Sequence, residues 1–191
     1  MKDIFRMVVV LGVICALAGL ALAGVRDFTR APIELQVMKN IQGPAIMSVL
    51  EGYDNDPIAD NFKLPGGVDK KGRPVEKAVF PAKKDGKLIA LALDSAGRGF
   101  DGNIGVMVGI DPSGKLTGIA IMKHTETPGI GSRITLPAFT DQFRGKNLES
   151  PTDVDGVSGA TYSTKGVFAA ISSAVEFYLK NKDQILASAG K

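Results

Sequence analysis

The sequence has no tryptophan, and it contains one histidine and one cysteine among 191 residues. A metal site built from His and Cys, or a Cys/His catalytic pair, needs more of these residues than the chain contains. A disulfide within the chain is excluded, because Cys15 has no second cysteine to pair with. An excess of one charge sign is also lacking, since 23 Lys and Arg stand against 20 Asp and Glu, so nucleic-acid binding is not indicated.

Uncharged residues fill one long run, residues 7–25, near the N-terminus. About 20 apolar residues suffice for a helix to cross a bilayer, so a transmembrane anchor is predicted over residues 1–26. The alternative is a cleavable signal peptide, because Lys2 and Arg6 precede the run and residues 21–24 offer a cleavage site. Signal cores normally have about 7–15 residues, which favours the anchor. Basic residues are equally frequent on both sides of the run, so charge leaves the topology open.

Residues 27–55 are predicted to form a helical stalk that leads away from the membrane. Apolar residues recur at helical spacing in this segment, and the pair Gly43-Pro44 divides it into two short helices, because proline removes a backbone donor. The stretches 52–61 and 64–74 are rich in turn-forming residues and are predicted as loops, with at most a short strand between them. Residues 56–191 are predicted to form the globular domain.

Two hairpins are predicted in the centre of the chain. The first is "KAVFPAKKDGKLIALALDS", with its turn at Asp85-Gly86, and the second is "NIGVMVGIDPSGKLTGIAIMKH", with its turn at residues 111–114. Alternation of apolar residues in the second hairpin predicts a sheet with one covered face. Each hairpin contributes two antiparallel strands, and a cover of helices is needed for the apolar face.

Apolar residues from Val167 onward recur three, four, seven and eight positions apart, which predicts the helix that covers the sheet. Ser163 or Thr164 is its predicted N-cap. A second short helix is predicted through "PAFTDQFRGK", with Gly145 as its stop. The predicted class is therefore α+β, an antiparallel sheet packed by helices and attached to a single N-terminal transmembrane helix.

Three glycine-bearing stretches contain the candidate chemistry. In "DGVSGATYST", four hydroxyl side chains stand beside a helix start, where unpaired N–H groups can hold a phosphate, although a plain capped loop uses the same residues. In "KHTETPGIGSR", His124 is a candidate proton carrier and Glu126 a candidate hydrogen-bond acceptor for a flat ligand, with a polar surface loop as the alternative. The third stretch, "SAGRGFDGNIG", is either a hairpin connection or a ligand-facing loop.

These stretches resemble the motifs of a known family. "DGVSGAT" matches the D-x-x-[ST]-G-A-T flavinylation motif, and "HTETPGIG" resembles an H-x-E-T-P-G-[LI]-G loop. "GNIGVMVGID" resembles a G-x-I-x-V-x-V-G-I-D strand, and "FTDQFRGK" resembles an F-or-W-x-x-Q-F-x-G-K segment, with Phe139 where tryptophan is common. The chain thus resembles FMN-binding-domain proteins, in particular the G subunits of Rnf electron-transport complexes. The C subunits of the sodium-pumping NADH:quinone oxidoreductase have the same domain and are typically longer.

The resemblance implies a covalent cofactor, FMN, joined through its phosphate to the hydroxyl of Thr161 by a flavin transferase. It implies no catalytic residue and no metal ligand, so the domain is expected to relay electrons without turnover of its own. The residues expected beside the phosphate are Ser158, Gly159 and Ala160, and those expected to face the flavin ring are Glu126, Thr127, Gly129 and Ile130.

The resemblance also implies a setting, a single-pass subunit of the bacterial cytoplasmic membrane with its FMN-binding domain on the periplasmic, extracytoplasmic side. Its expected partners are the other membrane subunits of an Rnf-type complex, in which electrons pass between ferredoxin and NAD while ions cross the membrane. Three alternatives remain: a C-type subunit of the sodium-pumping oxidoreductase, an anchored scaffold without flavin, and a secreted ligand-binding module released by cleavage at Ala23.

Overall fold

The computed structural model describes residues 2–68 and 74–189. Two compact units are present, Met1–Asn40 and Ile41–Lys191. The described part of the first unit is dominated by helix α1, Lys2–Val37, which confirms the predicted N-terminal apolar helix. Within it, Lys2–Arg30 is long and apolar enough to cross a bilayer, and its apolar side chains are exposed. Helix α1 continues without a break through residue 26, the predicted boundary between anchor and stalk.

A π-helical turn, Met38–Gln42, is followed by helix α2, Gly43–Val49. Pro44 lies in the first turn of α2, the part of a helix that best tolerates a proline. Helix α2 buries Ile46 and Val49 in a core that includes residues of the sheet. The structure therefore differs from the predicted stalk in its C-terminal part, because these apolar side chains pack on the domain.

The second unit is built on a five-stranded antiparallel sheet with the strands in sequence order. The strands are β1 Phe62–Val68, β2 Pro74–Lys84, β3 Lys87–Arg98, β4 Asn103–Ile110 and β5 Leu116–Lys123. Both predicted hairpins are confirmed. The turn between β2 and β3 has positive φ at Asp85 and Gly86, the backbone conformation that an Asp-Gly pair tolerates well.

Strand β1 lies mostly in the segment 64–74, which was predicted as a loop. That prediction was wrong for residues 64–68 and for Pro74, which begins β2, and its remaining part, 69–73, lies outside the described residues. Pro65 and the two glycines after it are turn formers by composition. However, β1 is an edge strand that pairs with β2, and the pairing register shifts between Pro65 and Val68. Edge strands and bulges tolerate proline and glycine, because fewer backbone groups there need a partner.

Helices cover both faces of the sheet, where the sequence predicted one covered face. The larger core lies between the sheet and helix α4, Thr161–Ala189. The smaller core lies on the opposite face, where α2 packs with Phe80, Ala92 and Met107. Successive side chains of a strand point to opposite faces, so each strand supplies both cores. The predicted α+β class is confirmed.

The connection from β5 to α4 contains a 3-10 turn at Gly131–Thr135, helix α3 at Pro137–Thr140 and a second 3-10 turn at Asp141–Phe143. The predicted short helix in this region is confirmed, with positive φ at Gly145 beyond it.

The predicted N-cap of α4 was wrong. The helix begins at Thr161, and the backbone N–H of Thr164 donates to the carbonyl of Ala160. Ser163 and Thr164 therefore lie in the first turn, and both are buried. Their hydroxyl groups point inward and hydrogen-bond to other segments.

Candidate functional site

Three segments that are far apart in the sequence meet at the N-terminal end of α4. They are the turn between β3 and β4, the loop that follows β5, and the residues around the start of α4. Together they line an open cavity of about 330 Å³, within the range of small-ligand sites. The lining residues are Phe100, Glu126, Thr127, Ile130, Gly131, Gly159, Ala160, Thr161, Tyr162 and Ser163.

Six of the eight predicted cofactor-binding residues line this cavity. Ser158 and Gly129 do not, although each is the chain neighbour of a residue near the cavity, and both are exposed. The lining residues not predicted from the sequence are Phe100, Gly131, Tyr162 and Ser163. A signal for Phe100 was available, because it lies in the glycine-dense stretch for which a ligand-facing loop remained open.

Thr161 occupies the first position of α4, and its side chain is exposed on the cavity wall. The chain reaches this position through a β-turn, in which the N–H of Ala160 donates to the carbonyl of Val157 over 3.0 Å. Gly159, the third residue of that turn, has φ +78°, a value that favours glycine. The first N–H groups of a helix lack partners within the helix and lie at the positive end of its dipole. The hydroxyl of Thr161 is therefore placed where a negative charge is stabilised.

Glu126 connects two walls of the cavity although its side chain is only 3 % exposed. Its carboxylate accepts hydrogen bonds from the backbone N–H groups of Phe100, at 3.1 Å, and Asp101, at 3.2 Å. It also accepts a hydrogen bond from the hydroxyl of Ser163. Glu126 thereby ties the turn after β3 to the first turn of α4. Both carboxylate oxygens already bond to donors of the chain, so a ligand donor would have to share them.

The charge state of Glu126 follows from these contacts. Burial by itself raises the pKa of a carboxyl group, but the hydrogen bonds from Ser163, Phe100 and Asp101 and the nearby His124 outweigh that effect. The pKa of Glu126 consequently lies below its ordinary value. Glu126 is ionised at neutral pH, and hydrogen bonds to an ionised acceptor are about twice as strong as neutral ones.

Gly131 allows this close arrangement. A Cβ at position 131 would lie 2.8 Å from both the Cβ of Glu126 and the hydroxyl oxygen of Ser163. Real Cβ atoms do not approach other heavy atoms so closely, so a larger residue would push these two apart. The glycine at position 131 therefore allows the loop after β5 to bring Glu126 into contact with Ser163.

Large apolar side chains surround the cavity and remain exposed. Phe100 is 66 % exposed and Tyr162 is 67 % exposed, and their ring centroids lie 6.2 Å apart. Ile130 is also about half exposed. Apolar side chains gathered beside a cavity are typical of ligand sites, and aromatic rings pack well against a flat ring. The cavity thus combines an apolar rim with the polar start of a helix.

His124, the candidate proton carrier, does not line the cavity. Its Nδ1 is buried and has no hydrogen-bond partner among the described residues. The structure brings it near Glu126, where its positive charge would lower the pKa of that carboxyl. Its role as a proton carrier stays a prediction.

Residues 99–176 match the FMN-binding domain family, a range that contains all eight predicted cofactor-binding residues. The G subunit of the ion-translocating oxidoreductase complex of Pseudomonas aeruginosa is 30% identical to this chain, over 97% of this chain and 94% of that protein. The G subunit of the proton-translocating ferredoxin:NAD(+) oxidoreductase complex of Clostridium ljungdahlii is 28% identical, over 92% of this chain and 91% of that protein.

Two solved structures share the fold. NqrC of Shewanella oneidensis is similar with a TM-score of 0.54 and 26% identity, over 78% of this chain and 74% of that chain. The C subunit of the Na(+)-translocating NADH-quinone reductase of Parabacteroides distasonis has a TM-score of 0.51 and 23% identity, over 63% of this chain and 75% of that chain. The five-stranded sheet and its helices are therefore an arrangement also found in C subunits of sodium-translocating reductases.

Proposed function

Because this chain belongs to the family of G subunits of ion-translocating oxidoreductase complexes, we propose that it is an FMN-containing electron-transfer subunit of such a complex. FMN supplies reversible transfer of one or two electrons, and the protein supplies its binding and orientation. We further propose that the FMN is held covalently, through its phosphate, on Thr161.

The observation that carries this proposal is the position of Thr161, exposed at the start of α4 on the wall of a cavity with an apolar rim. The residues present fit the two chemical parts of FMN. Phe100, Ile130 and Tyr162 offer apolar surface for the ring, and the N-terminal end of α4 offers N–H groups for the phosphate. A phosphate on Thr161 would keep one negative charge at the positive end of the helix dipole.

Attachment is a single transfer by a flavin transferase that uses FAD. The Thr161 hydroxyl oxygen bonds to the phosphorus on the FMN side of FAD, and the phosphoanhydride bond breaks. AMP leaves, and the hydroxyl proton passes to a base of the transferase. This division of labour explains why a threonine without an adjacent His or Cys is sufficient.

The other predicted residues divide between the phosphate and the ring. Gly159 and Ala160 shape the turn that delivers Thr161, and Ser158 stands exposed beside it. Thr127 and Ile130 also line the cavity, which supports their proposed contacts with the edge and face of the ring. Glu126 hydrogen-bonds to Phe100 and to Ser163, and it thereby fixes the turn after β3 relative to the start of α4.

The proposed setting is a bacterial cytoplasmic membrane complex in which electrons pass between ferredoxin and NAD. The domain is proposed to lie on the extracytoplasmic side, with the other membrane subunits as partners. A covalent link would keep the cofactor at a high effective concentration beside those partners, where a free cofactor would diffuse away. Helix α1 supports the membrane assignment, because Lys2–Arg30 can cross a bilayer.

A C-type subunit of a sodium-translocating reductase is the second candidate, because the fold is shared with NqrC. The extent of the similarity favours the G-type assignment. The Pseudomonas G subunit is 30% identical over 97% of this chain, whereas NqrC is 26% identical over 78% of this chain.

The experiment that tests the covalent link compares the wild type, Thr161→Ala and Ser150→Ala after coexpression with a flavin transferase. Intact mass and in-gel fluorescence after denaturation are the measurements. We expect the wild type and Ser150→Ala to gain the mass of FMN less water and to fluoresce, and Thr161→Ala to do neither. Ser150 is the matched control, since it is an exposed hydroxyl outside both the motif and the cavity lining.

Fluorescence retained by denatured Thr161→Ala would move the link to another residue. Absence of flavin from all three proteins, with the transferase active on a known substrate, would favour the anchored scaffold without flavin.

A further inference from the structure

The "FTDQFRGK" segment, residues 139–146, contributes nothing to the cavity lining. Its side chains instead contact the loop that leads to Thr161. That loop, residues 153–160, contains turns and bends but no helix or strand. Its conformation therefore depends on contacts with other parts of the domain.

Gln142 makes the central contact. Its Oε1 accepts a hydrogen bond from the backbone N–H of Asp155 over 2.9 Å, and its Nε2 donates to the carbonyl of Asp155 over 3.4 Å. The same Nε2 donates to the carbonyl of Ala138 over 3.0 Å, which holds the amide in place. One side chain thus pairs with both backbone groups of the first residue of "DGVSGAT".

Lys146 makes a second contact two residues earlier in the loop. Its Nζ donates to the carbonyl of Asp153 over 2.6 Å. The backbone around Lys146 is itself fixed to β5, because Gly145 N–H donates to the carbonyl of Leu116 and Leu116 N–H donates to the carbonyl of Lys146. The sheet therefore fixes the backbone from which the Lys146 side chain extends.

Aromatic packing fixes the same segment from below. Phe143 is fully buried, and its ring lies 5.3 Å from that of Phe139 and 6.2 Å from that of Phe168, measured between centroids. Phe168 belongs to α4, the helix that begins with Thr161. The backbone next to Gln142 is thus anchored, through Phe143, in the core to which α4 also contributes.

The far end of the loop is fastened to α4 as well. The backbone N–H of Val157 donates to the hydroxyl oxygen of Thr164 over 3.1 Å. Three backbone positions, 153, 155 and 157, are therefore hydrogen-bonded to side chains from outside the loop. The exposed side chains are those of Asp153, Asp155 and Ser158 in the loop and of Thr161 directly after it. An ordered backbone with solvent-exposed side chains is suited to recognition by another enzyme.

We propose that Gln142 and Lys146 form a clamp that presents the loop to the flavin transferase in one conformation. Both are positioning residues, since they act on Thr161 through the backbone of the loop. The inference rests on the proposed function, in which Thr161 is the modified residue. Ordering a flexible loop costs conformational entropy, and an enzyme that binds a preordered loop avoids that cost. Loss of the clamp should therefore slow attachment while FMN binding residues and Thr161 remain present.

The test follows attachment of FMN to the purified full chain, with FAD and a flavin transferase, by intact mass over time. The variants are Gln142→Ala and Lys146→Met, with Gln184→Ala and Lys182→Met as matched controls at exposed positions of α4. We expect kcat/KM to fall about tenfold in each clamp variant, the effect of losing about 1.4 kcal/mol of interaction. The controls should be modified at the wild-type rate.

Amide hydrogen exchange of the unmodified protein gives the second readout. We expect faster exchange at Asp155 in Gln142→Ala, because its N–H loses its acceptor, with core amides of β4 unchanged. Gln142→Glu keeps the acceptor for Asp155 N–H and removes both donated bonds, so its rate of attachment should lie between those of Gln142→Ala and the wild type.

Wild-type attachment rates in both clamp variants would overturn the clamp and leave the proposed function standing. Slower attachment with unchanged exchange at Asp155 would also overturn it, because the loop would then be ordered without Gln142. If the wild type itself gains no FMN, the proposed function fails and not the clamp alone.

Discussion

At the scale of single residues, Glu126 and Thr161 differ in which molecule provides their interaction partners. Thr161 is exposed, and the proposed transferase supplies the reaction at its hydroxyl. Glu126 is buried, and the chain itself supplies three donors to its carboxylate. The sequence predicted Glu126 as a ligand-facing acceptor, and the structure shows it serving the turn after β3 and the first turn of α4. Its contribution should therefore be measurable without any cofactor.

Glu126→Gln should lower the free energy of unfolding by about 3 kcal/mol at pH 7, because the new NH₂ group must face donors that now bond to a carboxylate. The pKa of Glu126 is lowered in the folded protein from its ordinary 4.5. Stabilisation by the ionised group is therefore complete above that value and lost as pH falls through the lower, folded pKa. Denaturant unfolding of the wild type and the variant measures this from about pH 3 to pH 8. The difference between their free energies of unfolding should be constant above about pH 5 and should become smaller below about pH 4.5.

Ser163→Ala is the control for this prediction, because it removes one of the three donors and keeps the carboxylate. Ser163→Ala should lower the free energy of unfolding by less than Glu126→Gln does at neutral pH. A difference between wild type and Glu126→Gln that stays constant to about pH 3 would show that the ionised carboxylate is not the cause.

At the scale of elements, helix α2 determines that the sheet is covered on both faces. Its inward face buries Ile46, which is 1 % exposed, in the core that contains Phe80 and Met107. Thr117 of β5 adds a hydrogen bond from its hydroxyl to the carbonyl of Val49. A segment that looked like a stalk by composition is therefore a structural layer of the domain.

Ile46→Ala should destabilise the domain by about 2–5 kcal/mol, because it leaves a cavity between α2 and the sheet. Met47→Ala is the matched control on the same helix, since Met47 is 68 % exposed, and its effect should stay within about 0.5 kcal/mol. Denaturant unfolding of the purified chain measures both. Equal effects of the two substitutions would show that α2 does not pack on the sheet in solution.

At the scale of the whole molecule, an apolar helix that can cross a bilayer and a domain with its own cores follow each other along the chain. The apolar side chains of Lys2–Arg30 are exposed, so in water this helix would present a continuous hydrophobic surface. A lipid environment removes that cost, and the helix satisfies its own backbone hydrogen bonds there. A retained anchor therefore stays our prediction for this segment.

The full chain should stay with the membrane fraction after an alkaline carbonate wash, and N-terminal sequencing should find residues before Ala23. Leu17→Arg with Leu20→Arg should release much of the protein, because each arginine near the helix centre costs about 2.5–3.5 kcal/mol. Leu17→Ala with Leu20→Ala is the matched control and should stay in the membrane. A mature chain that begins after Ala23 would support the cleaved, secreted alternative.

Local sequence patterns alone determined a large part of this protein. Alternating apolar residues and the Asp85-Gly86 turn predicted two hairpins, and the apolar stripe after Val167 predicted the helix that covers them. The motif that ends at Thr161 located the candidate attachment point. These features depend on residues that are neighbours along the chain, so the sequence contains the information directly.

Contacts between distant residues were decided only by the tertiary structure. Phe100 and Glu126 are separated by 26 positions and Glu126 and Ser163 by 37, and no periodicity predicts that they share hydrogen bonds. The edge strand β1 and the packing of α2 also depend on long-range contacts. Strand β1 pairs with the edge of the sheet at β2, and α2 packs on one face of the sheet. Thr161 could be found from a motif. The buried carboxylate, the aromatic rim and the contacts of Gln142 and Lys146 with the loop exist only once the chain has folded, because long-range packing brings their parts together.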